Sequence, residues 1–292
     1  MRFVLTDEQR DFAAALDKLL TASDTAAVAR AWGEGDTGPG LELWQRLAEQ
    51  GLAMLANEAT PVEVAVAFEA LGRYAVPGPW VESAAYLPVL LGRELEGIGT
   101  VGSPLALDAD VAEEVYLLDG DSVRSAVVEA PAERASVDPS RRLFTLTPGD
   151  QVGSENVADA WEAAVLAVSA QLLGLGEHLL AESVAYVKQR RQFGREIGSY
   201  QAIKHALADV RIALDFARPM VWGAALAEVP ASAAKVMAGD AAYLASRTAL
   251  QVHGAIGYTR EYDLSLWMLK TRALVGAWGT PALHRQRVLE GL

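Results

Sequence analysis

One stretch of the sequence decides the fold: residues 190–205, which read RRQFGREIGSYQAIKH. Together with Lys188, its first half places four cations within eight residues of a chain whose formal net charge is −13. Basic residues at a helix end complement the helix dipole, and Gly194 suits a helix C-terminus, so a plain helix end explains part of the pattern. A phosphate-bearing cofactor also favours arginine beside a flat apolar side chain and a glycine. The residues alone leave both interpretations open.

The composition of the 292-residue chain excludes several classes of protein. It has no cysteine, which rules out a disulfide scaffold, a thiolate nucleophile, a cysteine-ligated zinc site and an iron–sulfur cluster. Its four histidines are scattered along the sequence, so we predict no metal site. Its 38 acidic residues against 25 basic ones argue against a nucleic-acid partner, whose recognition requires a basic surface.

We expect a soluble, cytoplasmic protein. The first residues, MRFVLTDE, lack the basic and apolar segments of a signal peptide. No run reaches about 18 uninterrupted apolar residues, so no membrane span is predicted. The chain is 51% hydrophobic and 22% charged, which indicates a folded globular protein.

Hydrophobic periodicity divides the chain into three zones, which we predict as domains 1–95, 96–153 and 154–292. Apolar residues recur at helical spacing in the first and third zones. The middle zone instead contains Val115–Leu118 and Val123–Val128 around an Asp-Gly turn, which is typical of a β-hairpin. The predicted fold class is mainly α with a small β-domain.

The third zone has the strongest helical pattern. Its first helix begins near Val157 and continues toward Arg191. Pro219 and Pro230 are expected to bend or separate the helices that follow. These later helices are predicted at about 199–228, 231–253, 261–275 and 281–290.

Two glycine-rich segments are candidates for ligand contacts. Gly33–Gly38 matches the G-x-G-x-x-G pattern of dinucleotide-binding loops, but it follows a helical segment and carries two acids. We therefore predict an ordinary loop there, within a break at Gly33–Gly40. Gln251–Thr259 places small residues at a helix end, where a backbone can approach a ligand or simply turn between helices. The ordinary turn is the more frequent use of such a segment.

The C-terminal motifs resemble those of the acyl-CoA dehydrogenase family. Residues 190–205 resemble the family signature R-x-x-F-G-x-x-I-x-x-[FY]-Q. Residues 251–258 resemble its Q-x-x-G-G-x-G-[YF] turn, with Ala255 in place of the second glycine. Thr6–Gln9 and Trp44–Gly51 resemble its N-terminal helices. The resemblance spans nearly the whole chain and implies an N-terminal helical domain, a truncated middle β-domain and a C-terminal four-helix bundle.

The resemblance implies that FAD is the cofactor and that two subunits share it. In the family, one subunit's β-domain holds the flavin ring, and its neighbour's C-terminal bundle binds the adenosine diphosphate end. Carried over to this chain, cofactor binding is assigned to six residues of the two motifs: Arg190, Gln192, Phe193, Gln201, Gln251 and Gly254.

Two departures from the family pattern bear on catalysis. The flavin segment that carries serine and threonine is absent from 96–153, where Ser103-Pro104-Leu105 is no substitute. The family's base is a carboxylate that removes an α-proton while a hydride passes to the flavin. Trp278 and Ala164 occupy its two usual positions, and Glu162, about 200° around the helix from Ala164, is expected to face elsewhere. We therefore predict no catalytic residue of the usual type.

This combination resembles the smaller, base-lacking subunit of the heterotetrameric (α₂β₂) acyl-CoA dehydrogenases of actinobacterial steroid and cholesterol breakdown. The resemblance implies a larger partner subunit that carries the base, an acyl-CoA substrate and an electron-transfer flavoprotein as acceptor. Two alternatives stay open. One is a homomeric dehydrogenase whose base is Glu162 or Asp159, and the other is a helical scaffold subunit without flavin.

Overall fold

The computed structural model describes residues 4–120, 122–152 and 156–291. Its N-terminal part is helical, and a π-helical segment at Glu82–Tyr86 leads directly into the last helix of that part. The helices are α1 (Asp7–Thr21), α2 (Thr25–Gly33), α3 (Gly38–Ala48), α4 (Leu55–Glu58), α5 (Pro61–Arg73) and α6 (Leu87–Leu91).

Local sequence signals set the starts of α1 and α5. Each begins with a capping box, in which a threonine and the side chain three residues later satisfy free N–H groups reciprocally: Thr6 with Gln9, and Thr60 with Glu63. The Gln9 amide also donates to the Glu63 carboxylate at 2.8 Å, which joins the two helix starts.

The Gly33–Gly38 segment connects two helices, as predicted for an ordinary loop. No strand precedes it within the described residues, because α2 runs to Gly33. The predicted break is too long, however, since α3 already begins at Gly38. Pro39 fits the first helical turn, where its missing N–H has no partner to lose. Gly40 permits close packing, because a Cβ there would lie 2.1 Å from the ring of Trp32.

The middle part is a small closed barrel of five strands in the order β1-β2-β5-β4-β3. The predicted hairpin is confirmed: β3 and β4 pair antiparallel with Asp119 opposite Ser122, although Asp121 of the turn lies outside the described residues. A parallel pairing of β1 with β3 closes the barrel. The strands are β1 (Gly99–Gly102), β2 (Leu105–Leu107), β3 (Glu114–Asp119), β4 (Ser122–Arg134) and β5 (Leu143–Val152).

The connection between β1 and β2 is a tight two-residue turn. It consists of Ser103 and Pro104, and a Cβ on Gly102 would lie 2.2 Å from the carbonyl oxygen of Leu105. The barrel's own core is small and comprises Ala106, Ala109, Phe144 and Leu146.

The C-terminal part is a helical bundle around one long helix. That helix, α7, packs against α5 and against the later helices of the bundle. The predicted domain boundary at 153/154 falls at residues outside those described. The helices of this part are α7 (Val157–Gln189), α8 (Gln201–Ala225), α9 (Ala231–His253), α10 (Leu264–Gly276) and α11 (Pro281–Glu290).

Helix α7 is long and apolar enough to cross a membrane, but 83% of its most apolar stretch is buried inside the protein. That burial is what a central core helix requires. Pro219 lies inside α8, which agrees with the single helix predicted at about 199–228, and it does not separate two helices. Its ring is compatible with a helical φ and costs one backbone hydrogen bond there. Pro230 does separate α8 from α9.

The N-terminal helices and the C-terminal bundle share one hydrophobic core. Helices α5 and α7 touch at two glycines. A Cβ on Gly72 would lie 2.1 Å from the carbonyl oxygen of Gln171, and one on Gly174 would lie 2.0 Å from that of Glu69. Only glycine allows the two backbones to approach this closely.

Candidate functional site

A hairpin follows the end of α7. The helix ends at Gln189, and the chain turns into two short strands, β6 (Arg191–Gln192) and β7 (Arg195–Glu196). Phe193 and Gly194 form the turn, with φ angles of 52° and 82°. Positive φ at both central residues is the geometry of a tight two-residue hairpin. Gly194 is therefore a hairpin residue, and the interpretation that it simply ends α7 is wrong.

Phe193 stands at the tip of this hairpin. Its side chain is 90% exposed, and its backbone lies in the left-handed region. That conformation costs a bulky residue about 1 kcal/mol or more. Because the Phe193 ring is exposed to solvent, it buries almost no apolar surface within this chain that would offset the backbone strain. Its position indicates a contact outside the chain.

The hairpin and the ends of α7 and α9 enclose an open groove of about 530 Å³. Gln201, one of the six predicted residues, is exposed at the first position of α8 and does not belong to the groove wall, although its neighbour Ala202 does. The other five predicted residues all line the groove: Arg190, Gln192, Phe193, Gln251 and Gly254.

Two further groove residues, Tyr186 and His253, were not among those predicted. Their rings stack with centroids 4.2 Å apart. The Nδ1 of His253 donates to the carbonyl oxygen of Ala249 at 2.8 Å, and burial lowers the pKa of the imidazole, so the ring is neutral at pH 7. Its Nε2 is therefore an acceptor, and it has no partner among the described residues. Tyr186 lies on the last turn of α7, four residues before the Arg190 of the motif, and this short spacing was present in the sequence.

Gly254 shapes the floor of the groove. Its φ of 63° and ψ of −138° belong to a region that glycine alone adopts readily. A Cβ added there would meet no atom within 4 Å, so the residue faces open space. The floor thus leaves room for a group from outside the chain to approach the backbone closely.

The four cations of the basic cluster separate in three dimensions. Arg190 lines the groove, while Arg195 lies over the ring of Tyr200, with its guanidinium carbon 3.9 Å from the ring centroid. Lys188 and Arg191 are exposed and do not belong to the groove wall. Across the described ranges, none of the four forms an ion pair with a carboxylate. This uncompensated positive charge in an acidic protein favours an anionic ligand.

Comparison with known proteins identifies the family. Residues 157–292 match the model of the acyl-CoA dehydrogenase C-terminal domain. The whole chain is 30% identical over 281 residues to acyl-CoA dehydrogenase IpdE2 of Mycolicibacterium smegmatis, covering 89% of this chain and 90% of that protein. The chain belongs to the acyl-CoA dehydrogenase family. It is therefore an FAD-dependent oxidoreductase by family, as its motifs predicted.

Solved structures confirm the fold class. A chain of the ChsE4–ChsE5 complex from Mycobacterium tuberculosis superposes with a TM-score of 0.81 at 21% identity, covering 99% of this chain and 98% of that chain. A chain of the Tcur3481–Tcur3483 steroid ACAD superposes with a TM-score of 0.77 at 20% identity, covering 97% of both. The predicted acyl-CoA dehydrogenase fold, with its helical domain, small β-domain and helical bundle, is the observed one.

The groove fits the adenosine diphosphate end of FAD in its chemistry. Arg190 can donate to a phosphate oxygen, and Gln192 and Gln251 supply amide donors and acceptors. The unpartnered Nε2 of His253 can accept from a hydroxyl or an amino group. Gly254 leaves the space that such a ligand needs. Which of these groups contacts the cofactor stays a prediction.

Ala164 and Trp278, which the sequence predicts at the family's two usual base positions, are both packed against other side chains. Ala164 is fully buried in α7. Trp278 packs against Tyr86, with ring centroids 4.6 Å apart, and against Trp161 at 5.8 Å.

Three other carboxylates lie on this side of the molecule. Asp159 and Glu162 line a separate cavity of about 590 Å³, and Glu162 is ion-paired with Arg287 at 2.9 Å. Glu82, which sequence reasoning missed, is buried beside Trp278, and desolvation raises the pKa of its carboxyl. At 5% exposure Glu82 is out of reach of a substrate.

Proposed function

We propose that this chain is the base-lacking subunit of a heteromeric, FAD-dependent acyl-CoA dehydrogenase. In this proposal, the groove between the hairpin and α9 binds the adenosine diphosphate end of an FAD. The partner subunit binds the flavin ring of that FAD and provides the catalytic carboxylate. FAD, when bound, supplies the acceptor for the hydride that leaves the acyl thioester. The role of this chain is to hold and orient the far end of that cofactor.

The proposal is supported by a contrast between two sets of predicted residues: those that line the groove are open to solvent, and those at the predicted base positions are packed. The side chains of Phe193 and Arg190 are exposed at the groove, and neither forms a hydrogen bond or ion pair with the other residues described here. Trp278 and Ala164, at the predicted base positions, lie in contrast among packed side chains. A homomeric dehydrogenase needs both halves on every chain.

The residues divide the work by their chemistry. Arg190 offsets the negative charge of the pyrophosphate, and a guanidinium can do so with two parallel hydrogen bonds. Phe193 provides an apolar surface that is buried only when the partner or the cofactor covers the hairpin. His253, neutral and fixed by Ala249, presents an acceptor without adding charge.

The proposed substrate is a steroid-derived CoA thioester, oxidised between its α and β carbons. The support is that one structural neighbour is described as a steroid ACAD and that two neighbours are complexes of unlike chains. By the same inference, the partner is a larger acyl-CoA dehydrogenase subunit, the electron acceptor is an electron-transfer flavoprotein, and the complex acts in the cytoplasm.

Substitution of Arg190 in the co-purified complex tests the assignment of the groove. Loss of a charge-assisted hydrogen bond costs about 1.5–3 kcal/mol, so Arg190→Ala should weaken FAD retention by about 10- to 150-fold. Flavin absorbance per complex, measured during dilution or gel filtration, reports the loss. Arg285→Ala is the matched control, because Arg285 is an exposed arginine that pairs with Asp240 outside the groove. Unchanged flavin content in the Arg190→Ala complex would refute the assignment.

A further inference from the structure

A second basic pocket lies on the other side of the C-terminal end of α9. It has a volume of about 380 Å³ and is formed by α9, the connection after it and α10. Three arginines line it, one from each element: Arg247, Arg260 and Arg272. No residue that lines this pocket also lines the FAD groove. Leu250 and Gln251, about 100° apart on α9, face the two different cavities.

The charge of this pocket is not compensated within the described part of the chain. No acidic residue lines it, and none of its three arginines forms an ion pair there. The three elements carry three acids, of which Glu261 does not line the pocket and the other two have partners elsewhere. Asp240 pairs with Arg285 at 2.8 Å, and Asp263 pairs with Arg30 at 2.7 Å.

Three like charges around one concave site repel one another, and the cavity walls focus their field. Such an arrangement in a chain of net charge −13 is informative, because most surfaces of this protein repel anions. It is the arrangement that attracts a ligand carrying more than one negative charge. Guanidinium groups suit phosphates in particular, since their planar fork matches two oxygens at once.

The remaining lining adds recognition for more than phosphate. Tyr258 is 76% exposed and can stack on a flat ring, while Tyr243, 41% exposed, lies under the Arg272 guanidinium, 5.9 Å from its ring centroid. Ser246 and Thr259 offer hydroxyls, and Leu250 and Met268 give an apolar floor. The volume lies within the range of small-molecule sites.

We propose that this pocket binds the adenosine diphosphate group of a nucleotide, at a site separate from the groove of Arg190. Two sources carry that group in this reaction class: a CoA thioester, which has an additional 3′-phosphate, and a flavin nucleotide. The proposal does not depend on the proposed function, because it requires neither a partner subunit nor bound FAD. It can therefore fail while the proposed function stands.

Calorimetric titration of the full chain, alone or with its co-purifying partner, tests the proposal. The titrants are ADP and 3′-phospho-ADP, and the Arg190→Ala background removes the first groove's arginine. ADP should bind in that background, and adding Arg247→Ala and Arg272→Ala should weaken binding by about 100-fold, at about tenfold for each lost charge-assisted contact. The Arg190→Ala/Arg285→Ala variant is the matched control and should bind as the background does. Added salt should also weaken binding.

The two titrants distinguish the sources. Tighter binding of 3′-phospho-ADP by tenfold or more assigns the pocket to a CoA thioester, and equal binding assigns it to a flavin nucleotide. The proposal is overturned if neither titrant binds in the Arg190→Ala background. It is also overturned if loss of Arg247 and Arg272 changes the affinity no more than the Arg285 control does. Far-UV circular dichroism verifies that each variant is folded.

Discussion

Replacing Phe193 by asparagine should stabilise the isolated chain and weaken the assembled protein's hold on its flavin. The ring is 90% exposed, so its removal costs the free chain almost no buried surface. Asparagine tolerates the left-handed backbone that Phe193 adopts, and Asn-Gly is the favoured pair for this hairpin turn. Relief of about 1 kcal/mol of strain should raise the melting temperature by about 2 °C in a chain of this size.

The effect on the complex has the opposite sign. Full burial of a phenylalanine side chain is worth about 1.5–3 kcal/mol, and nearly the whole ring is available for burial. FAD retention by the Phe193→Asn complex should therefore weaken by about 10- to 150-fold. Thermal unfolding of the chain and fluorescence titration of FAD into the complex measure the two effects. Leu289→Gln on α11, where the side chain is 70% exposed, is the control and should change neither.

The reasoning is refuted by either of two results. A melting temperature several degrees lower for the free Phe193→Asn chain would mean that the ring already packs within this chain. Unchanged FAD affinity of the complex would mean that neither cofactor nor partner covers the hairpin tip.

Three further predictions concern the groove floor, the core and a buried acid. Gly254→Ala should cost the chain about 1–3 kcal/mol through its glycine-only backbone and should also lower flavin content, as thermal unfolding and flavin absorbance will show. Gly72→Ala should destabilise by about 1–3 kcal/mol or more in urea unfolding, because its Cβ would lie 2.1 Å from a backbone oxygen of α7. Burial raises the pKa of Asp108 from 3.8 to about 7, above its unfolded value. The folded state therefore binds the proton more tightly, and stability should fall as pH rises from about 4 to 7. Asp108→Asn should flatten that dependence in denaturant midpoints measured across this range.

The sequence predicted most of the fold because its periodic signals are strong. Apolar residues at helical spacing located α7 to α11, and the Asp-Gly pair located the hairpin of β3 and β4. Pro219 lies within the predicted helix at about 199–228 and within α8, because a proline breaks a helix only when the lost hydrogen bond and the ring clash are not absorbed locally. The break predicted over Gly33–Gly40 was too long. Gly38 and Gly40 have low helix propensity, but packing of Gly40 against Trp32 overrides it and α3 begins at Gly38.

The site was harder to predict than the fold. The motif residues Arg190 and Gln251, distant in sequence, do line one groove. The hairpin at Arg191–Glu196 was missed because so short a polar segment shows no alternation of apolar side chains. Its geometry depends on positive φ at Phe193 and Gly194, which the composition does not reveal. The second basic pocket is lined by single arginines from three different elements, so no short sequence motif predicts it.

The most direct test of the central claim is the flavin content and acyl-CoA dehydrogenase activity of this chain purified alone and co-purified with its partner subunit. The account predicts that the chain alone carries no stoichiometric FAD and has no activity, because the proposal makes its groove half of a shared site and the predicted base positions hold Ala164 and Trp278. The complex should carry FAD and oxidise an acyl-CoA thioester. A yellow, active enzyme composed of this chain alone would contradict the account.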